Sequence, residues 1–421
     1  MASTIEEYIF RKTNNGDYVR KAFGIEITGS KMSDMCDGFT HLIVSVSVKM
    51  NRNFPLHSRE ALEPRRAGLS RCFRQNESLA FRYTIPTAAD DIEAWSNATV
   101  IFTDDVRPMR EAYRLLKDGH WWLKFQVGIL SLHFFDGRAG FSMMDLYLKY
   151  LTAELEGRAK ALESIDWCTE ISRLQPPASF VVPLVETGRP PNLSPAPSRL
   201  WLYPPTNAGG KGNISRDVTF SHETTGKLHV IAKRHGYTIT QLFTALLILV
   251  HTEAEFKAVA NVGPRRFHEL SRSFNDATHY LIAWTFINHR HKLPGEYSSY
   301  ESHKGSPLLA QDGTSPVLPM DAIRAMFRLD ETKNSIVRVT DENAFWDNLV
   351  AAVASMWKSI DQSLDAHRAR DMEAHVTSQT FNPAAFQIPA LIISSIGDLG
   401  RLGILTDYLR PRRIIRGNAV G

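Results

Sequence analysis

A histidine and an aspartate close together offer the first chemistry in this chain. They lie in the run Ser131-Leu132-His133-Phe134-Phe135-Asp136-Gly137-Arg138-Ala139-Gly140. A neutral imidazole held by a turn can take a proton from a hydroxyl or an amine near neutral pH. Asp136 can orient that ring, or it can point away and pin the turn through an arginine. Gly137 suits the tight backbone that would follow. The plainer reading is that His133 is a core histidine, satisfied at a strand end.

The flanking sequence supplies elements that would hold such a turn. Trp121 to Leu132 (WWLKFQVGILSL) is a long apolar run and reads as a central strand. Phe141 to Leu155 has apolar residues three and four apart, the spacing of a helix that packs back on a sheet. His41 to Met50 and Thr99 to Phe102 read as further strands, and Pro108 to Leu116 as helical.

Further along, Asp217 to Phe220 reads as a short strand. A helix from about Ser221 stops at Gly236, and Thr238 or Thr240 caps an apolar helix over Gln241 to His251. Val259 to Val262 and Tyr280 to Ile287 read as strands, and Ser298 to Pro316 as an exposed polar loop. Asn343 to His367 reads as one long amphipathic helix and Pro389 to Ser395 as a buried strand. Alternation of strands and helices makes the class α/β or α+β. His289 and His291 flank Arg290 and read as a solvated strand end; two histidines with no further ligand nearby do not make a metal site.

Composition narrows the function classes. The chain has 421 residues, 49 basic and 45 acidic, with a formal net charge of +4. The signs are interspersed, whereas a nucleic-acid binder concentrates its lysines and arginines. Cys36, Cys72 and Cys168 are too few and scattered for a disulfide framework or a zinc site. The acidic N-terminus has no apolar secretory core, so the four sequons at Asn76, Asn97, Asn192 and Asn213 read as chance matches. The most apolar stretch, Leu242 to Val250, falls far short of the ~20 residues of a membrane span. A soluble cytoplasmic protein with reduced thiols is expected. Nine of the 21 prolines fall between Pro176 and Pro205, followed by Gly209-Gly210-Lys211-Gly212. That composition forbids a helix or a central strand. It divides the chain into an N-terminal lobe (1–175), a crossover (176–216) and a C-terminal lobe (217–421); the alternative is a surface loop within one lobe.

The segment Ile129 to Leu148 (ILSLHFFDGRAGFSMMDLYL) resembles the active-site strand and turn of the chloramphenicol-acetyltransferase-like superfamily, whose signature is His-x-x-x-Asp-Gly. Three later pieces are similar to that family in the same order. His235 to His251 resembles its helix after a Gly-x-Thr start, Val259 to Phe267 (VANVGPRRF) its arginine-bearing strand, and Leu391 to Asp398 (LIISSIGD) its Ser-Asn-x-Gly strand. The overall flavour is closest to fungal O-acetyltransferases of the trichothecene type. The resemblance implies two similar lobes, each a mixed sheet with flanking helices, and an active-site tunnel between them. It implies that Asp136 is structural and bonded to Arg266 or Arg265, with Arg266 preferred. It also implies that the strand bearing Tyr280, Trp284 and Phe286 helps wall the tunnel, although by pattern alone such aromatics are core. Ser394, Ser395 or Asn288 can supply a donor to an oxyanion.

One departure bears on the reaction. The family's catalytic histidine stands four residues before the aspartate, and here that position is Leu132. Either the turn has lost a residue and His133 still reaches the tunnel, or Leu132 replaces the base and His133 points elsewhere. Leucine has no lone pair to accept a proton. Two enzymatic functions follow as expectations. The first is acyl transfer from acyl-CoA, a co-substrate rather than a bound cofactor, to a hydroxyl of a natural-product intermediate, with His133 as base. The second keeps the fold and uses the cavity, including Leu132, Tyr280, Trp284, Asn288 and Ser395, to cyclise a polyene or polyketide without acyl transfer. A non-catalytic binding role is the third. No nucleic acid, membrane, metal or second subunit is expected in any of them.

Overall fold

The computed structural model describes residues 5–35, 41–43, 70–75, 78–85, 129–131, 218–293 except 283, 311–380 and 392–395, with shorter pieces between 140 and 201 and between 397 and 406. The strand expected over Thr99 to Phe102, the helix over Pro108 to Leu116, and the turn from Leu132 to Ala139 lie outside these residues.

The N-terminal part carries strands β1 (Arg11–Lys12), β2 (Tyr18–Lys21), β3 (His41–Ile43), β4 (Ser70–Gln75), β5 (Ser78–Tyr83) and β6 (Ile129–Ser131). Four of them form an antiparallel sheet in the order β1-β2-β5-β4. Arg20 on β2 is buried because Glu26 takes both its terminal nitrogens, at 2.8 and 2.7 Å, and the ring of Phe81 lies beneath it, 4.1 Å from centroid to guanidinium. Glu26 opens the 25–35 helix (Ile25–Met35) and ties it to the sheet. β3 and β6 pair separately, antiparallel, with His41 opposite Ser131. Beyond β6 the described residues between 140 and 153 are helical, with Phe141, Asp145 and Leu148 buried, as expected of the helix read over Phe141 to Leu155.

The proline-rich crossover is less uniform than its composition forbids. Ala178–Val181 forms a single helical turn immediately after Pro177, where a missing N–H costs nothing. β7 (Leu200–Trp201) pairs in parallel with β8 (His279–Leu281) at a sheet edge.

The C-terminal part is built on two long helices. The 222–234 helix (His222–Arg234) is capped by the Ser221 hydroxyl, which accepts from Thr224 N at 3.0 Å, and Gly236 follows at φ +79°. Thr238 opens the next helix with a reciprocal cap: its hydroxyl accepts from Gln241 N while the Gln241 side chain accepts from Thr238 N. This helix runs from Ile239 to Val262, so Val259 to Val262 is its last turn and not a strand. Valine's β preference yields here to a helix already propagating. Gly263, at φ +140°, and Pro264 stop it and start the Pro264–Asp276 helix. Phe256, Phe267 and Phe274 lock the two helices together edge-to-face.

The expected strand from Tyr280 to Ile287 is two strands in different sheets. β8 pairs with β7 and with β11 (Val317–Pro319). β9 (Trp284–Asn288) lies between β10 (Gln311–Thr314), antiparallel, and β14 (Ile392–Ile393), parallel. β10 falls in the stretch read as a polar loop; ladder bonds are made by the backbone, so a polar edge strand forms without apolar side chains. Residues 218–220 form no strand. β12 (Phe327–Asp330) and β13 (Ser335–Arg338) make a hairpin. Glu342–Ala344, Phe345–Val350 in π geometry and Ala351–Ser359 then run on as one helical stretch. It ends at Ile360, where the backbone turns extended, and a separate helix follows over Leu364–Thr380. Asp361 and Ser363 make that break: Asp361 Oδ1 accepts from Ser363 N, and Ser363 Oγ from Ala366 N.

Candidate functional site

The candidate residues fall at two groups of strand ends. In the first, β6 closes at Ser131 and residue 140 is already helical. Leu132, His133, Asp136 and Gly137 occupy the interval, outside the described residues. On either side the described residues are a short paired strand, β6, and a helical stretch from residue 140.

The second group gathers most of the remaining predicted residues. Asn288 ends β9, and its side-chain carbonyl accepts from Arg290 N at 3.1 Å and Arg290 Nη1 at 3.2 Å, folding the chain into a turn. Ser394 and Ser395 follow β14 and are exposed. The Ser395 hydroxyl lies 3.2 Å from that of Thr240, in the first turn of the 239–262 helix. Parallel pairing of Trp284 with Ile392 brings β9 and β14 side by side in register. Gly397 follows at φ +83°, a turn that a β-branched residue would resist.

Tyr280 is a core residue. It is fully buried in the main core cluster, and its hydroxyl shares a 3.1 Å hydrogen bond with His251 Nδ1. His251 Nε2 stands 4.0 Å from Glu255 Oε1, one helical turn on. Burial pushes the His251 pKa down to about 4 and raises that of Glu255, so near neutral pH the imidazole is uncharged and the two are not an ion pair.

Arg266 sits on the first turn of the 264–276 helix, two-thirds exposed, and donates to Glu269 at 2.9 Å; Arg265 reaches the same carboxylate at 3.1 Å. Both arginines thus spend their charge on a carboxylate of their own helix, whose pKa they hold down. His289, read as solvated, is fully buried and stacks on His367 at 4.5 Å, because the end of β9 runs beneath the 364–380 helix. His291 is exposed. Among the described residues no cluster of three His, Cys, Asp or Glu has the geometry for a metal ion. No helix among them is long and apolar enough to cross a membrane.

An open cleft of about 670 Å³ lies between the β12–β13 hairpin and the end of the 264–276 helix. None of the predicted site residues lines it. Arg324 at its wall is committed to the carbonyls of Phe274 and Ala277, at 2.9 and 3.0 Å, and closes the helix C-terminus.

Sequence reasoning missed two titratable groups, the half-buried His251 and the buried Asp371. The signal for Asp371 was present: His367, Asp371 and His375 recur every four residues and share one face of a helix.

No protein-family model and no curated protein matches the sequence. A solved structure does match: the trichothecene 15-O-acetyltransferase of Fusarium sporotrichioides, with a TM-score of 0.56 over 92% of this chain and 82% of that one, at 12% identity. The chain shares its fold with that acetyltransferase, and its class is α/β, as the alternation of strands and helices leads one to expect.

Proposed function

We propose that this protein transfers an acyl group from acyl-CoA to a hydroxyl of a natural-product intermediate in fungal secondary metabolism, in the cytoplasm. The observation that carries the reading is the shared fold with an O-acetyltransferase over 92% of the chain. The turn from Leu132 to Gly137, between β6 and the helix at 140, supplies the base. His133 takes the proton of the acceptor hydroxyl. The oxygen attacks the thioester carbonyl, the new C–O bond forms as the C–S bond breaks, and the proton ends on the departing thiolate. Asp136 and Gly137 hold the turn. Ser395 supplies a hydroxyl to the oxyanion, and Leu132, Trp284 and Asn288 wall the cavity. Tyr280 supports that wall from the core side.

A second reading rests on Leu132, four residues before Asp136. With an aliphatic side chain at that place, the cavity folds a linear precursor for ring closure and needs no base. One experiment separates the two. The purified chain is incubated with acetyl-CoA and trichothecene-type alcohols, and free thiol and ester are followed together. Ester formed in step with thiol supports acyl transfer. Turnover of a linear polyene without CoA, and no thiol release, overturns it in favour of cyclisation.

A further inference from the structure

We propose that Asp371 is a proton-operated latch that fastens the segment bearing Gly24 and the 25–35 helix onto the 364–380 helix, holding most firmly with a neutral carboxyl and easing as that carboxyl ionises. Three distant stretches of chain meet at this side chain. Ile25 N donates to Oδ1 at 2.8 Å, and the Ser179 hydroxyl, from the single turn after Pro177, donates to Oδ2 at 2.5 Å. Around them Tyr8, Phe23 and Phe180 close an aromatic cover, with His375 stacked on Phe23 at 4.3 Å. Lys31 is turned to the Ser378 carbonyl and Arg368 to the Ser179 carbonyl, so both cations hold backbone.

Asp371 is buried, and the hydrogen bonds to its carboxyl come from neutral donors, Ile25 N and the Ser179 hydroxyl. A carboxylate in such a place loses hydration that two neutral donors replace only in part. The groups that face it act in both directions. His367, one turn back on the same helix, favours the ionised form. Glu26, from the 25–35 helix, disfavours it, although Arg20 holds that glutamate in a bidentate pair. His289 stands behind His367, stacked on it. His375, one turn on, accepts weakly from Gly24 N at 3.5 Å, and burial lowers its pKa. Burial outweighs the rest and pushes the Asp371 pKa from 3.8 up to about 6.

The raised value sets the sign. Latching is strongest below the ordinary aspartate pKa and weakens as pH rises through about 6. Protonation of His375 removes the acceptor for Gly24 N and opposes the latch at the acid end. The device is independent of the acyl-transfer reading.

Amide hydrogen exchange of residues 20–35 in the full chain, corrected for the intrinsic pH dependence of exchange, tests it. The opening constant of this segment is expected to rise about ten-fold from pH 5 to pH 7.5. Asp371→Asn keeps an acceptor for Ile25 N and donates to the Ser179 hydroxyl, so it is expected to remove the slope and stay closed. Ser179→Ala removes a donor to the ionised form and is expected to steepen the slope. A flat wild-type profile overturns the proposal, as does a wild-type slope retained in Asp371→Asn. If the asparagine variant does not fold, the wild-type and Ser179→Ala profiles decide.

Discussion

Gly24 and Asp371 are packed so closely that a Cβ on the glycine would fall 1.7 Å from the carboxyl Oδ1. The glycine also sits at φ +52°, where L side chains are strained. Steric and conformational demands therefore coincide at one residue. Gly24→Ala must push the 25–35 helix off the 364–380 helix, and is expected to cost about 2–4 kcal/mol in chemical denaturation. A loss below about 0.5 kcal/mol would show that this junction adapts freely.

Arg266 offers a contrasting prediction. The family resemblance assigns it to a buried pair with Asp136, whereas the structure turns it outward to Glu269. Exposed pairs one turn apart contribute little. Arg266→Ala is expected to leave the melting temperature within error of wild type, and double substitution with Arg265→Ala to do the same. A substantial drop for Arg266 alone would return the residue to the aspartate.

What was legible in the sequence followed local rules. The Ser221 and Thr238 caps and Gly236 marked helix ends because capping chemistry is decided within a few residues. Val259 to Val262 misled for the converse reason: a helix 24 residues long overrode the local preference of its final turn. Asn343 to His367 looked continuous because apolar spacing persists across Ile360, while the break is made by polar side chains of Asp361 and Ser363. At the site, the strand before His133 and the helix from residue 140 could be read, and so could the strand before Ser395. The burial of His289 and the meeting of Gly24, Ser179 and Asp371 depend on chain segments far apart in sequence. No spacing rule reaches them.

His251 and Asp371 should oppose each other in the acid range. His251 has its pKa depressed to about 4, so its contribution is present above the ordinary histidine value of 6.5 and lost as pH falls toward 4. Asp371, raised to about 6, gains as pH falls through the same interval. Each amounts to at most about 3 kcal/mol, and less for the partly exposed histidine. His251→Asn is expected to tilt stability toward acid, and Asp371→Asn to tilt it the other way. Urea midpoints at pH 4.5, 5.5 and 7 measure both. Parallel profiles for wild type and the two variants would show that neither group titrates differently on unfolding.

His133 decides the chemistry. If it is the base, His133→Ala removes proton transfer from the attacking hydroxyl and lowers kcat by about 10²–10⁴, with little change in the melting temperature. Leu132→His then adds no activity, since the working imidazole is already one residue away. If Leu132 stands where a base has been lost, the pattern inverts. His133→Ala is tolerated, and Leu132→His restores the His-x-x-x-Asp-Gly spacing and with it thioester consumption. Neighbouring side chains in extended backbone face opposite ways, so positions 132 and 133 cannot both present an imidazole to one cavity without the turn rearranging. The assay follows thiol release from acetyl-CoA for wild type, each single variant and the double variant. Equal activity in all four would remove this turn from the reaction.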